Sequence, residues 1–319
     1  MLSRLPRLGI PLAVLASGVF FVSAPVSVPV SAQEAGKDQA GKDQAGKDQA
    51  GKDQAGKDPV ARGEYIFNAA GCLGCHTVPK TGQRLAGGRA LKTPFGTFYS
   101  PNITPDRDTG IGGWSEADFV QAMREGKAPD GSAYFPVFPY TSFTHLTDGD
   151  IRDLKAYIDA QPAVSQANKP HEVSPPFGWR FLLPVWQAMF LDKGGLPDET
   201  GRDEQWKRGR YLVQAAGHCG ECHSPRNFLG VVDQDRMLAG SPSGPEGKAV
   251  PNITSDPDKG IGKWSQGEIA FMLEIGMQPD GDFVGGGMNE VVENSTSKLT
   301  AEDRTAIAAY LKAVPAPGP

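Results

Sequence analysis

The chain has 319 residues and a formal net charge of −5, which leaves no basic footprint for a nucleic acid to meet. Gly and Pro number 40 and 27, a composition suited to short helices joined by long loops. Only four cysteines are present, and they fall in two pairs that leave none over for a disulfide.

Arg4 and Arg7, the apolar stretch that follows them and the small-residue site Val30-Ser31-Ala32 read as a cleavable export signal over residues 1–32. The apolar stretch is short for a bilayer span of about 20 residues, and Pro25 and Pro29 follow it closely. An uncleaved membrane anchor is the alternative. Residues 33–58 then repeat Ala-Gly-Lys-Asp-Gln from Ala35, Ala40, Ala45 and Ala50, with a last copy from Ala55 that ends in Pro59. This stretch has no large apolar side chain and a Gly in every copy. It cannot bury enough surface to offset the entropy of ordering, so a disordered tether is expected.

Asp58 before Pro59 pairs an N-cap with a first-turn proline, which predicts a helix running toward Cys72. That helix leads into Cys72-Leu-Gly-Cys75-His76, and the pattern returns as Cys219-Gly-Glu-Cys222-His223. C-x-x-C-H is the attachment pattern of haem c. Cys72 and Cys75, and likewise Cys219 and Cys222, are expected to add across the porphyrin vinyl groups as thioethers, leaving His76 and His223 to face the irons. A four-cysteine zinc ribbon would place its pairs roughly 15–20 residues apart. A thioredoxin-like motif would need a βαβ context that is missing here. Two haem c groups are the expectation. Such haem is attached outside the cytoplasm, which agrees with the export signal and predicts a periplasmic location.

The sequence around the signatures is duplicated. Arg62-Gly63-Glu64-Tyr65 matches Arg208-Gly209-Arg210-Tyr211, Pro101-Asn102-Ile103-Thr104 matches Pro251-Asn252-Ile253-Thr254, and Pro129-Asp130-Gly131 matches Pro279-Asp280-Gly281. Gly110-Ile111-Gly112-Gly113-Trp114-Ser115 returns as Gly260-Ile261-Gly262-Lys263-Trp264-Ser265. Ser115 with Asp118, and Ser265 with Glu268, open a helix in each copy as capping boxes. Thr147 with Asp150, and Thr300 with Asp303, are expected to open the last helix in the same way. Ile151, Leu154 and Ile158 share one face of that helix. No alternating strand pattern is evident. The expected fold is mostly α, as two tandem haem domains with long wrapping loops, at 59–161 and 203–315.

Residues 162–202, between the copies, are not duplicated. They carry Phe177, Trp179, Phe181, Trp186, Met189 and Phe190, and are expected to pack between the two domains. A docking surface for a partner or a membrane is the alternative.

The run from Pro94-Phe95-Gly96 to Asn102-Ile103-Thr104, the Gly-Ile-Gly-x-Trp-Ser runs and the linker's Phe177-Gly178-Trp179-Arg180 resemble exported bacterial dihaem class I cytochromes c. These include the cytochrome subunits of periplasmic alcohol, aldehyde, sugar and N-heterocycle dehydrogenases. The resemblance covers about 59–315 and implies cytochrome c-type domains. It also implies electron transfer from a partner dehydrogenase toward a cytochrome or oxidase of the respiratory chain, with peripheral membrane association as a further option. In that family each iron has a His and usually a Met, the latter in a Pro-x-Met-Pro-Tyr pattern. Counting from Asp280, that position is Met288; counting from Asp130, it is Phe138, within Pro136-Val137-Phe138-Pro139-Tyr140. Phe cannot coordinate iron. His145, where the second copy has Lys298, is the candidate sixth ligand of the first iron, an open iron being the alternative.

Met/His ligation raises an iron's potential relative to nitrogen-rich ligation, so electrons are expected to run from the first haem to the second. The competing reading is a haem enzyme acting at an open first iron, with His145 and Asp148 as its acid–base groups. Of the remaining side chains, His171 is expected at the surface and His218 on nearby backbone. Asn102, Asn252, Trp114 and Trp264 are candidates for contacts to haem propionates.

Overall fold

The computed structural model describes residues 58–244 and 247–318, so the export signal and all of the tether except Asp58 lie outside the described residues. Asp58 caps helix α1 (Pro59–Ala69), accepting from Ala61 N at 3.0 Å with Pro59 in the first turn. Gly71, at φ 60°, turns the chain out of α1 into α2 (Cys72–His76). Strands β1 (Ala90–Thr93) and β2 (Gly96–Tyr99) form an antiparallel hairpin with Ala90 opposite Tyr99, and β3 (Glu172–Val173) from the linker joins the far edge of β2. This sheet corrects the expectation of no strands; segments this short carry too few residues to display alternation. Helices α3 (Glu116–Glu125), α4 (Tyr140–Phe143) and α5 (Asp148–Asp159) complete the first half.

After α6 (Leu183–Phe190) in the linker, the second half runs α7 (Glu204–Tyr211), α8 (Gly220–His223), α9 (Gln266–Ile275), α10 (Gly286–Asn294) and α11 (Ala301–Ala313). Ser115 and Ser265 form the two expected capping boxes, with Asp118 and Glu268 returning to the cap backbone.

The duplicated Arg-Gly-x-Tyr segment explains how each half is built. Helix α1 crosses α5, and α7 crosses α11, with a glycine at each crossing. A Cβ on Gly63 would lie 1.8 Å from Asp153 O, and one on Gly209 would lie 1.9 Å from Ala306 O. Only glycine lets the backbones approach this closely. Beside the glycines, Arg62 pairs with Asp153 at 2.6 Å and Arg208 with Asp303 at 2.7 Å.

The tyrosines of the same segment reach across to the other half. Tyr211 OH accepts from Thr147 N at 3.1 Å and donates to Asp150. Tyr65 OH accepts from Thr300 N at 3.2 Å and donates to Asp303 at 2.5 Å. Thr147 and Thr300 cap their helices as expected, accepting from Asp150 N and Asp303 N. The reciprocal half of each box differs: the aspartate turns to a tyrosine hydroxyl, which itself takes the cap N–H. Each terminal helix is therefore capped jointly by its own half and by its partner half. One apolar core runs through both halves, with Phe67, Leu85, Ile151, Leu154 and Ile158 continuous with Leu212, Val213, Leu238, Ile269 and Ala308.

The linker packs mainly on the first half. Leu183 joins Phe98, Ala133 and Phe135 in a smaller cluster, Gln187 Nε2 donates to Glu125 O and Gly126 O, and Arg180 donates to Ala133 O. Trp186 does bridge, meeting Tyr140 edge-on and donating to Leu229 O at 3.0 Å. Most of the other large side chains correct the expectation of a filled seam: Phe177, Trp179, Phe181, Leu182, Val185 and Met189 are exposed, Phe181 by 70%, while Phe190 is half-buried against Trp186.

Candidate functional site

Each signature forms a single helical turn, so its two cysteines, three residues apart, project from one side with the histidine at its end. The histidines are fixed identically. His76 Nδ1 meets Pro101 O at 2.8 Å, and His223 Nδ1 meets Pro251 O at 2.8 Å. A carbonyl only accepts, so Nδ1 carries the proton and Nε2 keeps its lone pair. Burial lowers both imidazoles below their ordinary range, the carbonyl bond opposing it, and favours the neutral ring that binds a metal.

A loop absent from the sequence reading holds each histidine from behind. Leu85 and Leu238 are fully buried in the left-handed region, at φ 61° and 64°. Gly87 N donates to His76 O at 2.9 Å, and Gly240 N donates to His223 O at 2.7 Å. Leu85 N donates to Thr77 Oγ1 and Leu238 N to Ser224 Oγ, while Ile103 N and Ile253 N close onto the two leucine carbonyls. The tripeptide Leu-Ala-Gly at 85–87 and 238–240 is the legible trace of this clamp; unequal spacing from the histidines, nine residues against fifteen, hides it.

All four thiols are free. Burial pushes Cys72 and Cys219 up to about 12 and Cys222 up to about 11. Thiols held protonated in this way are unlike the thiolates of a redox pair. Among the described residues no three His, Cys, Asp or Glu side chains gather as a metal cluster, as a zinc ribbon would require. Two unpaired thiols beside an anchored imidazole with a free Nε2 fit covalent haem in each half.

The segments that follow the two Asp-Gly turns differ. Met288 lies half-buried in the first turn of α10, against the main core. Phe138 packs edge-on with Tyr134, Tyr140 and Phe143, at 5.7, 6.2 and 5.8 Å. His145 Nδ1 rests on Gly194 O at 2.5 Å, and Thr144 Oγ1 accepts from Gly194 N, so this turn is tied to the linker. Burial lowers His145 as well, with Arg124 and Arg210 adding to the effect. Asn102 is spent on the loop: its amide donates to Val164 O and Thr109 Oγ1, and its oxygen accepts from Thr104. Asn252 Oδ1 accepts from Thr254 in the same way, so both asparagine oxygens serve as turn staples. His171 is exposed as expected, yet accepts from Tyr99 N and sits edge-on to Phe98 and Phe135.

Each signature is also tied by hydrogen bonds to a helix of the other half. Arg89 donates to Gly74 O in α2 and to Glu290 in α10, two residues past Met288. Glu221 in α8 accepts from Thr141 and Ser142 in α4.

The sequence profile of the cytochrome c family matches residues 60–161. A dihaem cytochrome c-type protein of Cereibacter sphaeroides is 48% identical over 266 residues, covering 80% of this chain and 86% of the relative. The fructose dehydrogenase cytochrome subunit of Gluconobacter japonicus is 41% identical over 81% of this chain and 53% of its own length. The gluconate 2-dehydrogenase cytochrome c subunit of Pantoea cypripedii is 40% identical over 80% of this chain and 59% of its own length. The chain thus spans little more than half of these two dehydrogenase subunits.

Proposed function

We propose, from the premise that this chain belongs to the dihaem c-type members of the cytochrome c family, that it relays electrons from a partner dehydrogenase through two covalently attached haems. The observation that carries this reading is the duplicated histidine anchor, Pro101 O on His76 and Pro251 O on His223, beside two free thiols in each half. Haem c supplies reversible one-electron exchange at its iron, and the protein supplies ligands, orientation and dielectric.

Cys72 and Cys75 would hold the first haem in the half spanning 59–161, and Cys219 and Cys222 the second in the half spanning 203–315. His76 and His223 would bind the irons through Nε2. Met288 would complete the second. His145 would complete the first, its Nδ1 anchored on a carbonyl as in the two signature histidines. Nitrogen-rich ligation lowers the first site relative to the second, so the Met288 side accepts electrons and passes them to a downstream cytochrome or oxidase. The dehydrogenase partner is supported by the names of the relatives, and the exposed face of Trp179, Phe181, Val185 and Met189 offers it an apolar surface. A periplasmic location follows from covalent haem and the export signal. A haem-enzyme reading finds no support: of its candidate acid–base groups, Asp148 is paired with Arg124 and His145 Nδ1 is held by Gly194 O.

Intact-mass measurement of the exported protein tests the reading. Two haem adducts are expected, with Cys72→Ala/Cys75→Ala and Cys219→Ala/Cys222→Ala each retaining one. A wild-type chain with fewer than two adducts contradicts it.

A further inference from the structure

A relay needs a path between its two centres, and the residue before the first cysteine differs between the halves, Gly71 in one and His218 in the other. Residues 62 to 72 and 208 to 219 both run from the arginine to the first cysteine, but the second run is one residue longer. The structure absorbs the extra residue in a π turn over Leu212–Ala216, where Gly217 N reaches Leu212 O at 2.7 Å. His218 follows in the left-handed region at φ 41°, the conformation that Gly71 supplies before Cys72. A histidine is an unfavourable occupant of a position where glycine would be at ease.

The His218 side chain is directed to the other half. Its Nε2 lies 3.2 Å from Ala70 O, and since a carbonyl only accepts, Nε2 is the donor. Its ring meets Phe143 edge-on at 5.4 Å, and Phe143 meets Phe138 at 5.8 Å. Beside it, Ser295 Oγ donates to Ala69 O, so the chain just before Cys72 is held at adjacent carbonyls by two side chains of the second half. The expectation of a bond to nearby backbone is met by a carbonyl 148 residues away in the chain.

We infer that His218 is the positioning residue that couples the two haem attachment segments for electron exchange. The route from Cys72 runs through Gly71 to the Ala70 carbonyl, crosses one hydrogen bond to the His218 ring, and continues covalently to Cys219. In the step served, one electron leaves the first iron, ferrous to ferric, and one arrives at the second, ferric to ferrous. No bond forms or breaks, and the Nε2 proton stays in place. This inference rests on the two-haem reading above.

The test uses the full, haem-loaded chain and follows inter-haem exchange after rapid photoreduction, together with haem count and both midpoints. His218→Gly accepts the left-handed backbone and removes the bridge; His218→Phe keeps an aromatic ring without a donor. Both should retain two haems and unchanged midpoints while exchange slows several-fold. His218→Asn, which tolerates the same backbone and keeps an N–H donor, should recover part of the rate. An unchanged rate in His218→Gly overturns the inference, as does a slowing fully accounted for by shifted midpoints. Failure of the two-haem reading would show separately, as missing adducts in the wild-type mass.

Discussion

The two halves agree in their helix crossings, histidine anchors and tyrosine exchange, and diverge where an iron would be tuned. Both cross their helices at a glycine, both clamp a histidine between a proline carbonyl and a left-handed leucine loop, and both lend a tyrosine to the other's terminal helix. Yet the position holding Met288 in one holds Phe138 in the other, and His218 stands where the first half has Gly71. A duplicated scaffold fixes the orientation of two equivalent groups; a few side chains then suffice to make the groups unequal.

The largest structural effect should come from disturbing what the halves share. Gly63→Val or Gly209→Val would drive side-chain atoms into a backbone carbonyl. Overpacking typically costs about 1–3 kcal/mol, occasionally more. With a Cβ placed under 2 Å from that oxygen, a loss at or above the upper end is expected in thermal melts. A melt within error of wild type would show that the crossings are not tight.

The tyrosine exchange is symmetric in outline but unequal in strength. Asp303 takes both Arg208 and Tyr65 as close partners, whereas in the first half Arg62 pairs with Asp153 and Asp150 takes Tyr211, with Thr147 and the charge of Arg208 beside it. Burial raises Asp150. Tyr211→Phe should therefore cost about 1–3 kcal/mol, the penalty of a buried group left unsatisfied, and Tyr65→Phe less. Equal losses in denaturant unfolding would contradict the asymmetry. Tyr65 also sets a pH limit. Burial, then Asp303, lifts it from 10.0 to about 12. A raised folded value means that its stabilisation is complete below pH 10 and fades as pH climbs through about 12. Tyr65→Phe should make that alkaline limb shallower without removing it, because Tyr134 and Tyr140 are also raised to about 12. Smallest of all, Ser115→Ala or Ser265→Ala removes one side of a capping box and should cost about 1 kcal/mol in either half.

Much of this was legible locally. The signatures, the caps at Asp58, Ser115 and Ser265, and the buried face of Ile151, Leu154 and Ile158 are set by neighbours a turn away in the chain. Interactions spanning the halves were not. Arg-Gly-x-Tyr was visible as a repeat, but nothing in it says that the glycine faces a backbone carbonyl or that the hydroxyl caps a helix in the other half. The Leu-Ala-Gly clamp was masked by unequal spacing. The linker's aromatics suggested a filled seam because apolar content alone does not tell which side of a segment faces inward; most of them face out.

A redox titration of the haem-loaded chain, with Met288→Ala and Phe138→Met alongside it, tests the inequality of the two iron sites most directly. Two separable midpoints are predicted. Met288→Ala should lower only the upper one, and Phe138→Met should raise only the lower one, each within the roughly 0.8 V that axial ligands command. A single shared midpoint in the wild type, or one that Met288→Ala leaves in place, would contradict the account.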